Sequence, residues 1–295
     1  MNIAISGSNG LIGTELKQFL ENKGESVTAI VRDPNQKGIL WNPINEDINL
    51  DLLEGFDCII NLNGEKIDRL LPISNNHEIK KSRILSAKTL SISISQLKYP
   101  PKVFLSASGF GFYGDRGDQN LTEESLPGTG FLSQLAIEWE NSASSYITPN
   151  INTRVILMRF GLILSRKGGI LPKLNGLGNL GLGKMFGSGS QFWPWISIED
   201  TILGIYHAIE NPVLNGPINF VSPQQTRNKE FMKIFAKYSK KFCVFPIPKF
   251  LISNFTTDPT RKTLLNSTKI LPEKLLSSNF KFKLDTLEKT FMEYY

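Results

Sequence analysis

The sequence predicts an α/β fold, a doubly wound parallel sheet followed by a smaller, mainly helical C-terminal lobe, on three observations. The chain opens with an apolar run, Asn2-Ile3-Ala4-Ile5-Ser6, breaks at Gly7-Ser8-Asn9-Gly10-Leu11-Ile12-Gly13, and continues as an amphipathic stretch to residue 22. β-rich runs at residues 3–6, 27–31, 58–62, 103–106 and 155–158 alternate with helix-spaced runs at 11–22, 77–97 and 131–146, a pattern that right-handed crossovers resolve as a parallel sheet covered on both faces. Past residue 160 the alternation lapses into Gly168-Gly169, a glycine-rich stretch from 176 to 189 that reads as flexible, and helices punctuated by Pro246, Pro248, Pro259 and Pro272. The expected division is residues 1–165, with 190–223 (including a strand near 218–221) returning to the sheet, against a substrate lobe of 166–189 and 224–295.

In chain order, the first element is the most specific. Gly7 lets the chain turn sharply off the strand, Gly10 lacks a Cβ where a phosphate must approach the backbone, and Gly13 lets the helix sit close to the sheet. The helix N-terminus adds open N–H groups and the positive end of its dipole. Gly7, Ser8, Asn9, Gly10, Leu11, Ile12 and Gly13 are therefore the expected diphosphate cradle of a Rossmann-type nicotinamide dinucleotide domain. The second strand ends in Arg32, where an NAD site carries a carboxylate for the ribose 2′-hydroxyl. A guanidinium cannot accept from that hydroxyl but pairs a 2′-phosphate, so NADP(H) is the preferred cofactor. Asp33, one residue late, keeps NAD(H) open, and a surface arginine at a strand end is the plainer alternative. The strand at 58–62 carries Cys58, read as a buried inert thiol. The next strand runs into Ser106-Ala107-Ser108-Gly109-Phe110-Gly111-Phe112-Tyr113-Gly114, at the carboxyl edge where ligands bind in such sheets.

The bulk properties fit this reading. Of 295 residues, 40% are hydrophobic and 20% charged, the balance of a soluble globular chain. No apolar run approaches a membrane span, since Arg159 interrupts residues 155–164. A strand at the very start leaves no room for a signal peptide, so a cytoplasmic protein with no membrane partner is expected. Two cysteines and two histidines give no disulfide framework and predict no metal site. Charge is uneven, −2 over residues 1–223 and +8 over residues 224–295. A basic C-terminal region suits acidic partners, nucleic acid or lipid. Its lysines lie at helical spacing among Phe, Leu and Ile, so solvated helix faces are the expectation and nucleic acid is disfavoured.

Taken together, the glycine spacing, the serine-rich strand end and further pieces resemble the extended short-chain dehydrogenase/reductase superfamily. More narrowly, they resemble its divergent NAD(P)-binding epimerase/dehydratase-like branch, some members of which are described as cell-division inhibitors. The pieces include Asn61-Leu62-Asn63-Gly64-Glu65, Ser82-Arg83, Thr122-Glu123, Trp139-Glu140, Arg159-Phe160-Gly161, Gly187-Ser188-Gly189-Ser190-Gln191, Trp195-Ile196-Ser197-Ile198-Glu199-Asp200 and Gly216-Pro217-Ile218-Asn219. The resemblance implies that Leu62 and Asn63 line the adenosine, that Glu78 and Arg83 contact the dinucleotide, and that Leu162 approaches the nicotinamide. The plainer alternatives are a solvated helix face for the charged pair and a core position for Leu162. The resemblance also implies a lid hinged at Gly183, Gly187 and Gly189. Phe192, Trp193 and Trp195 supply its apolar surface or else close the interface between lobes. A homodimer through a two-helix interface that includes residues 131–146 is implied as well.

One departure matters. The superfamily's acid–base pair is a tyrosine followed four residues later by a lysine, and no tyrosine in this chain has that lysine. Ser108 and Tyr113 are the candidate catalytic residues in its place, with Glu123 and Glu124 as further bases. Ser108 is equally a serine on the approach to a helix, Tyr113 more readily a ring packing the loop, and Asp200 more readily a helix cap than a catalyst. Two functions follow: an atypical reductase or epimerase acting on a small hydroxyl- or carbonyl-bearing metabolite, or a non-catalytic NADP(H)-responsive regulator acting through a partner.

Overall fold

The opening apolar run forms β1 (Asn2–Ser6), whose interior residues are buried on both faces because helices cover the sheet on each side. The computed structural model describes residues 1–65, 76–241, 243–255 and 258–295, the side chains of 253–255, 258 and 260 excepted. β1 feeds α1 (Leu11–Asn22), which buries Leu16 and Leu20 on its sheet-facing stripe. There follow β2 (Ser26–Val31), the edge strands β3 (Ile39–Asn42) and β4 (Asp47–Ile48), β5 (Cys58–Asn61), α2 (Asn76–Gln96), β6 (Val103–Gly109), the short β7 (Asn120–Leu121), α3 (Phe131–Ser144) and β8 (Arg154–Phe160).

Beyond β8 come β9 (Leu162–Ser165), β10 (Gly168–Gly169), α4 (Leu171–Asn179), β11 (Leu182–Phe186), β12 (Trp195–Ser197), α5 (Ile198–Glu210), β13 (Gly216–Phe220), α6 (Asn228–Ser239), β14 (Phe245–Ile247) and α7 (Lys249–Phe255). The main sheet has eight strands in the order β13-β8-β6-β5-β1-β2-β3-β4, parallel throughout except for β4, which runs antiparallel to β3. The order steps outward in both directions from β1, so the switch point lies between β1 and β5, and crevices for ligands open at their carboxyl ends. α1 packs with α5 and α2 with α3 as the two helical layers.

Three readings of the second half need correction. The glycine-rich stretch is ordered into α4 and β11, because Leu171 and Leu174 bury at helical spacing and Phe186 packs against Trp193. Trp193 and Trp195 are core residues rather than lid surface. Their indole N–H groups donate to the Leu264 carbonyl at 3.0 Å and the Thr226 hydroxyl at 3.2 Å. Asp200 is not the cap of α5; Ser197 is, accepting from the Asp200 amide. Asp200 sits in the first turn and accepts from the amides of Lys283 and Leu284, pinning the C-terminal segment to α5.

Candidate functional site

The loop between β1 and α1 shows what its glycines do. Gly7 adopts φ +74°, and a Cβ there would lie 2.7 Å from the Leu62 carbonyl oxygen. A Cβ on Gly13 would run into the Gly7 carbonyl and lie 2.7 Å from Ser8 Cα, so the helix approaches the loop as closely as backbone allows. Gly10 is different: exposed, in ordinary extended conformation, and close only to the Gly7 oxygen at 3.2 Å. It donates its N–H to that same oxygen at 3.0 Å and caps α1 without a side-chain acceptor or an acidic residue in the first turn. The amides of Leu11, Ile12 and Gly13 thus open the helix with no side chain answering them. Ser8 is buried, and its carbonyl accepts from the Thr14 hydroxyl at 3.3 Å. Asn9 is exposed and donates to Gln36 at 3.1 Å, tying the loop to the segment after β2. Leu11 and Ile12 are half-buried. The β9–β10 hairpin lies over this turn: a Cβ on Gly168 would meet a Leu11 methyl at 3.2 Å, and Lys167 pairs with Glu15 at 2.6 Å.

Beside the loop, at the ends of β2, β3 and β5, lies a cleft of about 750 Å³. It brings together Arg32, Asn63 and Glu78, with Trp41, Lys81 and Ser82 on the same walls. Asp33 is committed elsewhere, accepting from the Asn35 amide at 2.9 Å and the Asn35 side chain at 3.0 Å. Leu62 is half-buried, its N–H bonded to the Ser6 carbonyl at 3.0 Å. Arg83 does not line the cleft. It is buried, donates to the Ile79 carbonyl at 3.1 Å and stacks over Trp139 at 5.1 Å, which places that tryptophan in the core; its Nε has no partner. Burial pulls its pKa down to about 10, against the pull of Glu65. Glu78 is exposed beside His77. Leu162 lies opposite Trp195 in the β9–β12 pairing, its N–H donating to the Pro194 carbonyl at 2.8 Å.

The carboxyl edge of the sheet carries buried polar side chains in cross-strand rows. Ser6, Asn61 and Ser106 are register partners on β1, β5 and β6, and Ser6 donates to Asn61 at 2.8 Å. One step on, Ser108, Arg159 and Asn219 are register partners on β6, β8 and β13. α3 lowers Glu140 onto this second row. Arg159 donates to both Glu140 oxygens at 2.8 Å, and Ser108 donates to Glu140 at 2.7 Å. Tyr113 is fully buried. Its hydroxyl donates to Asn219 at 2.6 Å and accepts from Arg159 at 2.9 Å, while burial pushes its pKa up to about 12. Glu123 is also buried. One of its oxygens accepts from the Asn219 amide at 3.0 Å and the other has no partner; burial holds this carboxyl above its ordinary range. α3 itself offers no phenol or ammonium; its Glu140 reaches the sheet, and Leu135 is buried. Glu124 is exposed and stands in the turn after β7.

Sequence reasoning quoted Glu140, Arg159 and Asn219 as family pieces without giving them a role. Their one signal was charge inside apolar runs, Arg159 within β8 and Glu140 beside Trp139, since a charge in such a place needs a partner. Burial also pushes the Cys58 thiol up, so it is protonated at neutral pH. Among the described residues no group of three His, Cys, Asp or Glu side chains is placed to hold a metal ion, and no helix is long and apolar enough to cross a membrane.

The comparisons with known proteins span the same elements. The model of the NAD dependent epimerase/dehydratase family matches residues 3–220. An epimerase family protein of Mycobacterium leprae is 31% identical over 288 residues, covering 97% of this chain and 92% of its own. The human epimerase family protein SDR39U1, solved with NADPH, superposes with a TM-score of 0.91 at 28% identity, covering 99% of this chain and 98% of that one. A nucleoside-diphosphate sugar epimerase from Corynebacterium glutamicum superposes with a TM-score of 0.80 at 31% identity, over 98% of this chain and 57% of that chain.

Proposed function

Because the chain belongs to the NAD dependent epimerase/dehydratase family, we propose that it binds NADP(H) and acts as an atypical reductase or epimerase on a small hydroxyl- or carbonyl-bearing metabolite. The observation that carries this is the first turn of α1: crowded by backbone at Gly13, open at Gly10, and left without a side-chain cap. Backbone amides that no side chain among the described residues answers, at the positive end of a helix, fit a diphosphate. NADPH in the human relative supports the phosphorylated coenzyme. So does Arg32, facing the cleft while Asp33 is tied to its own loop.

In this reading Gly7 to Gly13 hold the diphosphate and Arg32 pairs the 2′-phosphate. Leu62, Asn63 and Glu78 border the adenosine end, Arg83 stiffens the end of β5 from behind, and Leu162 packs near the nicotinamide. The nicotinamide, when bound, supplies hydride exchange with a substrate carbon. The substrate is received between the sheet's carboxyl edge and the lobe formed by residues 166–189 and 224–295, and α3 contributes to a homodimer interface.

The chain's own contribution to proton handling centres on Ser108. Its hydroxyl donates a hydrogen bond to Glu140 Oε1, and Arg159 donates to both oxygens of the same side chain. Ser108 Oγ is thereby left with its lone pairs free to accept from a substrate hydroxyl. A proton taken at Ser108 Oγ has a route to Glu140. Tyr113 has no such freedom, because both its donor and its acceptor capacity are used inside the core. The regulator reading draws its support from α3, where neither a phenol nor an ammonium stands beside buried Leu135.

Calorimetry with NADPH and NADH, followed by a panel of sugars, ketones and quinones, separates these readings. The nicotinamide absorbance reports reduction, and inversion of the substrate's stereocentre, read by NMR, reports epimerisation. The expected result is NADPH bound more tightly than NADH, with turnover lost in Ser108→Ala and retained in Tyr113→Phe. No heat with either coenzyme overturns the reading, and tight binding with both readouts silent favours the regulator.

A further inference from the structure

A second surface, remote from the cleft, has a composition of its own. Residues 166–198 and 231–257 together carry nine Lys/Arg and no Asp or Glu. The fold joins these two segments: β11 pairs with β14, and the amides of Val244 and Phe245 both donate to the Gly181 carbonyl at 3.1 Å. At the join the apolar side chains face outward. Leu180 is 73% exposed, Val244 55%, Phe245 62% and Phe250 63%, and Leu251 is exposed as well. Lys184, Lys240 and Lys249 are exposed around them, and Lys241 reaches across to Asn179 at 2.5 Å. Pro246 and Pro248 flank Ile247, which ends β14, and α7 begins directly after Pro248 at Lys249. Scattered exposed apolar residues are ordinary; five of them on two segments that the β11–β14 pairing joins, with exposed lysines and no carboxylate in either segment, are the pattern of an interaction site.

The geometry points to the anionic surface of a lipid bilayer as the occupant. The apolar tips come from a helix end, an edge strand and a short helix, and they do not line the cleft at the strand ends. Protruding tips need no complementary partner surface to enter a headgroup layer, whereas a protein would have to be shaped to them. Lysines at the rim of an inserted apolar group are drawn to anionic headgroups. This is attachment to an interface and not a span, so it departs from the sequence-based expectation of no membrane partner. It also stands independently of the proposed chemistry.

The test uses the full chain, sedimented with phosphatidylcholine vesicles with and without phosphatidylserine, over a range of salt. The expected result is binding to the serine-lipid vesicles alone, weakening as salt rises. Phe245→Ser/Phe250→Ser and Lys240→Glu/Lys249→Glu should each bind about tenfold more weakly while keeping wild-type circular dichroism and NADPH affinity. No binding to serine-lipid vesicles at low salt overturns the proposal. So does equal binding to neutral vesicles, or undiminished binding by the phenylalanine variant. Binding of polyglutamate in place of vesicles also overturns it and reassigns the surface to an acidic protein.

Discussion

Replacing Gly10 with valine separates the cradle from the fold that carries it. Gly10 has φ −79° and ψ 176°, a conformation open to any residue, and its Cβ would meet only the Gly7 oxygen at 3.2 Å. The cost to stability is that of a poorer helix cap, about 1 kcal/mol. The added side chain instead fills the space in front of the Leu11 and Ile12 amides. If it displaces the diphosphate from two charge-assisted hydrogen bonds at about 1.5–3 kcal/mol each, NADPH affinity falls by about 3–6 kcal/mol, roughly a hundredfold to ten-thousandfold. Calorimetry measures the affinity and a urea titration the fold. Gly13→Val is the contrasting variant, because its Cβ collides with backbone and should unfold the domain outright. A folded Gly10→Val protein that binds NADPH within about threefold of wild type would refute the placement of the diphosphate at this turn.

Three further outcomes are expected. Arg32→Asp should weaken NADPH about tenfold to a hundredfold, the worth of one charge-assisted pair, and improve NADH, read by competitive titration. Glu140→Gln should cost about 3–5 kcal/mol in urea unfolding by leaving Arg159 buried without its carboxylate, whereas Glu140→Leu/Arg159→Met should recover much of that loss. Glu123 sets a pH dependence: burial raises its folded-state pKa above the unfolded value near 4.5, so the folded chain holds the proton more tightly. That stabilisation is full below the unfolded value and is lost as pH rises through the folded one. The urea midpoint should therefore fall with pH above about 4.5 in wild type and flatten in Glu123→Gln.

Much of the fold was legible because period and punctuation agree. The runs at 3–6, 103–106 and 155–158 are largely apolar stretches that lie within strands of the parallel sheet, and the run at 58–62 overshoots β5 by one residue. The expected helices at 77–97 and 131–146 end within two residues of α2 and α3. β3 and β4 were not foreseen, since four- and two-residue edge strands carry too few residues for a period to register. The ordering of 176–189 was hidden because glycines there read as breakers, while in the structure Lys241 packs over Gly178 and Met232 over Gly183. The glycines of the loop proposed to hold the diphosphate could be read from spacing because they are local in the chain. The Ser108–Glu140–Arg159–Asn219 arrangement could not, for its members stand on four elements and meet only through sheet register and the descent of α3.

The buried carboxylate of Glu123 receives its two amide donors from Asn219 and Lys274, about 100 and 150 positions downstream. During synthesis the nucleotide-binding half therefore leaves the ribosome with an acidic side chain destined for the interior and no donor yet translated to meet it. The last strand of the main sheet and the turn near 274 arrive together as its solvation. Completion of the sheet is thus coupled to the end of translation, and chains released before residue 216 should accumulate as chaperone clients rather than as a free-standing domain.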